Sequence, residues 1–174
     1  MADKKHYLIT SLTLGLIAMT SAALIGATNL ITKKRIAQNE IDRINAGINE
    51  IFGENTMISL EQEVNNQKYV VRWYTIKNNT DAMVGFACRT TGSNMYGKIS
   101  LIVGFDYTSK VFEGLSIVVN EQTFASTLVD NYINPLNAEE IKLDDVTCGA
   151  TYGAKLVRDM VNDAQSFIDG IIID

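Results

Sequence analysis

Histidine is almost missing from this chain of 174 residues: His6 is the only one, and it precedes a long apolar run. Everything beyond it is therefore without histidine-dependent catalytic triads and histidine-ligated metal sites. Asp, Glu, Lys, Tyr, Ser and Thr remain as the available chemistry, which favours a domain that borrows its reactivity from a cofactor. Cysteine is scarce too. Cys88 and Cys148 have a spacing that fits no zinc site, so they are read either as a disulfide in an oxidising compartment or as two small buried hydrophobes. Positive charge is thin after the first 35 residues. Those carry five basic and one acidic side chain, net +4, whereas residues 36–174 carry 10 basic and 19 acidic, net −9. A domain of that charge repels nucleic acid.

Charge of either sign is absent from Tyr7 to Thr32, a run of 26 residues. As a helix rising about 1.5 Å per residue it reaches roughly 39 Å, enough to cross a hydrocarbon core about 30 Å thick with some tilt. The competing reading is a cleaved signal sequence, whose apolar core is usually about 7–15 residues and so shorter than this run. Gly15, Ala18, Ser21, Ala22, Ala23 and Gly26 are small enough to admit a neighbouring transmembrane helix. Lys4 and Lys5 precede the span and Lys33, Lys34 and Arg35 follow it, so the positive-inside rule does not fix the orientation.

After the span, Ile41, Ile44, Ile48 and Ile51 recur at helical spacing among polar residues, which predicts an amphipathic stalk helix ended by Gly53 and Asn55. From Met57 to Val119 the signals are those of strands. Lys68 to Lys77 is rich in aromatic and β-branched residues, Ala82 to Thr90 and Lys98 to Phe105 follow, with Ile99, Leu101, Val103 and Phe105 placing an apolar residue at every second position, and a turn then leads into Val111 to Val119. A Gly-bracketed loop, Gly92 to Gly97, separates the second and third of these. Thr123 to Ile133 predicts a short helix stopped by Pro135, and Val157, Met160, Val161, Ala164, Phe167 and Ile168 mark a final amphipathic helix. The expected fold is α+β: residues 1–6 as a cytoplasmic N-terminus, 7–32 as a transmembrane helix, 33–55 as a stalk, and 56–174 as one domain with an antiparallel sheet covered by helices.

The stretch Asp145-Val146-Thr147-Cys148-Gly149-Ala150-Thr151 stands at the mouth of that final helix. Free backbone N–H groups and the positive end of the helix dipole favour an anion there, and glycine admits close approach. A Gly-Ala-Thr before a helix is usually only a turn and a cap, and the same tripeptide recurs at Gly26 to Thr28 inside the apolar run. The longer pattern, an acidic residue, spacers, a small residue and Gly-Ala-Thr, resembles the flavinylation signature of the FMN-binding domain family. That family includes the G subunit of the Rnf ferredoxin:NAD oxidoreductase and the C subunit of the sodium-pumping NADH:quinone reductase. The resemblance runs from about Asp81 to Phe167 and is supplemented by the N-terminal anchor.

The resemblance implies FMN joined through its phosphate to the hydroxyl of Thr151 by a separate flavin transferase, with Cys148, Gly149 and Ala150 lining the attachment point and Asp145 contributing to what the transferase recognises. It also implies that Met95 and Tyr96 flank the flavin, and that Glu121 and Thr123 are its neighbours. Tyr152 and Lys155 lie beside the attachment point. Three departures from the family pattern stand out: Cys148 replaces a Ser or Thr, Gly153 replaces a hydroxyl residue two places after the acceptor, and Glu121-Gln122-Thr123-Phe124 replaces a Glu-Thr-Pro-Gly run. Implied in turn are a subunit of an Rnf-type ion-translocating complex in the plasma membrane, an extracytoplasmic FMN domain, other redox subunits as partners, and no metal. The competing functions are a free-standing anchored FMN domain in extracytoplasmic electron transfer and a non-redox structural subunit of a membrane assembly.

Overall fold

The computed structural model describes residues 2–171, with backbone alone for 2–5, 30, 31 and 37. A single helix, α1, runs from Ala2 to Phe52. The chain divides by its internal contacts into two compact units, residues 1–42 and 43–174. In the first, the helix is long and apolar enough to cross a membrane, with a mean hydropathy of 2.0 over its most apolar stretch. Threonine hydroxyls bond back along the helix itself: Thr10 donates to the carbonyl of His6 at 2.9 Å and Thr28 to that of Leu24 at 2.8 Å, an arrangement that suits an apolar solvent.

The second unit is built on a five-stranded sheet in which every neighbouring pair is antiparallel: β1 (Thr56–Glu63), β2 (Val70–Asn78), β3 (Met83–Asn94), β4 (Gly97–Asp106) and β5 (Phe112–Asn120), paired in chain order. Alternation sorts its side chains onto two faces. Cys88, Ile99, Leu101, Val103, Phe105 and Leu115 face one core with the helices that follow β5, while Tyr74, Ile76, Ala87, Ile102 and Val118 face another with Ile44 and Ile48 from the end of α1. Both faces are thus covered, and α+β is the observed class.

The end of α1 is fastened to the sheet. Arg43 donates to the carbonyl of Val118 at 3.1 Å and the Ser116 hydroxyl donates to Glu50. Gly85 and Gly104 leave room for Phe52 and Ile51: a Cβ on Gly85 would lie 2.2 Å from the Phe52 ring, and one on Gly104 2.5 Å from Ile51. Ile41, expected in the same stripe, is exposed. Gly53 and Asn55, both at positive φ, turn the chain out of the helix.

Two expectations are corrected. The Gly-bracketed segment Gly92 to Gly97 is no open loop: β3 continues through Asn94, β4 begins at Gly97, and only Met95 and Tyr96 form the hairpin tip. Pro135 does not stop a helix. After α2 (Ala125–Leu128) and a π-helical turn (Val129–Ile133), it occupies the first turn of α3 (Asn134–Asn137), which continues out of the π turn through the bond from the Asn134 N–H to the Val129 carbonyl, and the fixed φ of proline suits that position. An irregular segment then leads to α4 (Thr151–Asp169).

Candidate functional site

Three segments converge beside the start of α4: the hairpin tip, the connection from β5 into α2, and the motif segment. They enclose a cleft of about 230 Å³ lined by Tyr96, Gln122, Phe124, Leu128 and Gly149 to Gly153. Enclosed ligand sites usually measure roughly 300–1,000 Å³, so this cleft is smaller than a pocket that would enclose a whole cofactor. Its outer wall is aromatic. Tyr96 lies 6.0 Å from Phe124 and 5.5 Å from Tyr152 between ring centroids, and both of these neighbours are exposed.

The motif segment is held from below. Asn131 donates to the carbonyl of Cys148 at 3.2 Å, Tyr132 donates to that of Leu143, and the Asp145 carboxylate accepts the Lys142 N–H at 2.8 Å. Gly149 has φ +82°, a backbone state that glycine adopts without strain. Helix α4 then opens with Ala150 as its N-cap, and among the described residues no side chain caps it. The first intrahelical bond is from the Ala154 N–H to the Ala150 carbonyl at 3.0 Å. The N–H groups of Thr151, Tyr152 and Gly153 consequently lie at the cleft as donors without helical partners, and alanine cannot supply the side-chain oxygen that ordinarily serves them. Thr151 itself is the first helical residue and half-buried. Its twin tripeptide has no such mouth, because Thr28 lies in mid-helix with its hydroxyl bonded to Leu24.

A pair of amides, Gln122 buried and Asn94 half-buried, binds the three segments together. The Asn94 side chain donates through Nδ2 to the Tyr152 carbonyl at 3.1 Å, and its Oδ1 accepts the Tyr96 N–H at 2.8 Å and Gln122 Nε2 at 3.1 Å. Gln122 Nε2 also donates to the Gly97 carbonyl. Thr123 fastens the same tip, since its N–H lies 2.9 Å and its hydroxyl 3.3 Å from the Tyr96 carbonyl.

Of the expected site residues, Tyr96, Gly149, Ala150 and Thr151 line the cleft. Met95 projects from the hairpin tip, 83% exposed. Glu121 is exposed on the rim, Thr123 works as a tie, and Cys148 packs partly against the core. Both cysteines are free thiols, and burial raises the Cys88 thiol far above its ordinary pKa. Tyr152 is exposed against Tyr96, Lys155 is exposed, and among the described residues no group of three His, Cys, Asp or Glu is placed to hold a metal ion. The sequence reading gave no role to Asn94, Gln122, Phe124 or Leu128. Only Gln122 and Phe124 carried a signal, as departures from the family pattern. The glycine at 153 also has a reason: a Cβ there would press to 3.0 Å from Leu128.

No curated protein matches the chain. Residues 1–51 match the family model described as the RnfG N-terminal region, so the chain resembles the G subunit of the Rnf complex over its apolar helix and stalk, a stretch that ends before the sheet and the cleft begin.

Proposed function

We propose that this protein is a membrane-anchored electron-transfer subunit of an Rnf-type complex, carrying FMN as a phosphoester on Thr151. The observation that bears most weight is the helix mouth: a hydroxyl on the first residue of α4, an alanine at the N-cap and an uncapped first turn, all opening on one cleft. The phosphate of FMN fits those donors, and its negative charge matches the positive helix end. Tyr96, Phe124 and Tyr152 offer the flat apolar surface that an isoalloxazine ring needs. When bound, FMN supplies reversible one- and two-electron transfer; this chain's residues hold its phosphate, orient its ring and leave one side open to a partner. The Thr151 hydroxyl oxygen would bond to the flavin's phosphorus as the phosphoanhydride bond of an activated flavin dinucleotide breaks, the other nucleoside monophosphate leaving and the hydroxyl proton being released, a step we assign to a separate flavin transferase.

Intact-mass measurement of the full chain made beside an active flavin transferase tests this. The expected wild-type mass includes one FMN less one water. Thr151→Val, close in shape, should lack that mass while keeping its helical and sheet content by circular dichroism. An unmodified wild-type chain, or an adduct persisting on the valine variant, would sink the proposal.

A further inference from the structure

We infer that Asn94 is a positioning residue for the flavin ring: acting through Tyr96 and Tyr152, it fixes the spacing of the two aromatic rings beside the attachment point and so the setting of the isoalloxazine against them. The inference rests on the FMN reading above and adds to it a residue that does not itself line the cleft. The two tyrosines come from separate elements, Tyr96 from the hairpin tip and Tyr152 from the first turn of α4. Their ring centroids stand 5.5 Å apart at an interplanar angle of 40°. Burial does not hold them there, since Tyr152 is 61% exposed.

One carboxamide spans the gap and grips the main chain of both. Asn94 Oδ1 accepts the Tyr96 N–H at 2.8 Å, and Asn94 Nδ2 donates to the Tyr152 carbonyl at 3.1 Å. A backbone N–H only donates and a carbonyl only accepts, so the amide has a single orientation. Gln122 Nε2 locks it by donating to the same Oδ1 at 3.1 Å. Among the described residues no other hydrogen bond joins the hairpin tip to the first turn of α4. Thr151 immediately precedes Tyr152, so a shift of that turn carries the attachment oxygen and one aromatic wall away from the other wall. A ring tethered through a flexible chain keeps one setting only where walls locked by their own hydrogen bonds meet it. Loss of the clasp would thus leave the ester in place and loosen the ring.

The test uses the full chain in detergent, flavinylated beside an active flavin transferase. Decay of the flavin's fluorescence anisotropy separates rings that tumble with the protein from rings that swing about their tether. Asn94→Asp keeps the acceptor and loses the donor to Tyr152; it should carry a full adduct by mass yet raise the ratio of swinging to held rings by about five-fold, the change that one ordinary hydrogen bond makes. Asn94→Ala, which adds no charge, should raise it at least as far. On a chain with Tyr96→Leu and Tyr152→Leu the ring should swing already, and Asn94→Asp should add nothing there. Wild-type ring motion in both Asn94 variants, whatever their unfolding midpoints, overturns the inference and leaves the FMN reading standing. So does wild-type ring motion in the double leucine variant, which decides the matter even where the Asn94 variants fail to fold. A wild-type chain that takes no adduct overturns the FMN reading, and this inference with it.

Discussion

Gly97 governs the cleft's shape at the residue level. Its φ is +134°, and a Cβ there would come within 2.1 Å of the Glu121 carbonyl oxygen, a backbone atom with no room to yield. Gly97→Ala should therefore part the hairpin tip from the Glu121–Gln122 segment and cost about 3 kcal/mol, from strained φ and overpacking together. Urea unfolding of the full chain in detergent measures it, and a cost under about 0.5 kcal/mol would mean that the tip and the segment move independently. The cysteines give a second expectation. The thiolate is the reactive form, and burial disfavours it at Cys88, while Cys148 is only half-buried. At mildly alkaline pH an alkylating reagent should label Cys148 first and reach Cys88 only on unfolding, as mass spectrometry of the labelled peptides would show; early labelling of Cys88 would contradict its burial.

Among the elements, the end of α1 is the one whose docking the sequence foretells most directly. Ile44, Ile48 and Ile51 recur at helical period, and two of them are fully buried against the sheet. Ile48 is 2% exposed, so Ile48→Ala should cost about 2–5 kcal/mol, the usual range for truncating a buried aliphatic side chain. A cost below about 1 kcal/mol in the same unfolding measurement would show that the helix end does not support the sheet. The strands were legible from their β-branched and aromatic content and from apolar residues at every second position, as at Ile99, Leu101, Val103 and Phe105, although both faces of β4 are buried. β1 was legible only in outline. It is an edge strand with mostly exposed residues, and Glu61 and Glu63 pair with Arg72 rather than packing inward, so no alternation marks its limits. Pro135 misled because the same ring that ends one helix is welcome in the first turn of another. Gln122 and Asn94 were illegible as partners, being 28 positions apart and joined by side-chain bonds that no local period records.

For the whole molecule, the side of the membrane that bears the cleft decides which partners can reach it. The basic residues do not fix that side. Two lysines precede the apolar run and three basic residues follow it, so local counting leans toward keeping the acidic domain inside, while long domains translocate largely regardless of charge. The resemblance to the Rnf G subunit points the other way, and it covers the very residues that set topology, since the match spans residues 1–51. We therefore expect the domain outside the cytoplasm. Protease added to intact spheroplasts should degrade it, and inverted vesicles should protect it. Replacing Lys33, Lys34 and Arg35 by glutamine removes the opposing charges and should leave that orientation unchanged or make it more uniform. Were the domain digested only in inverted vesicles, the cleft would face the cytoplasm, and the basic residues after the span would be what holds it in.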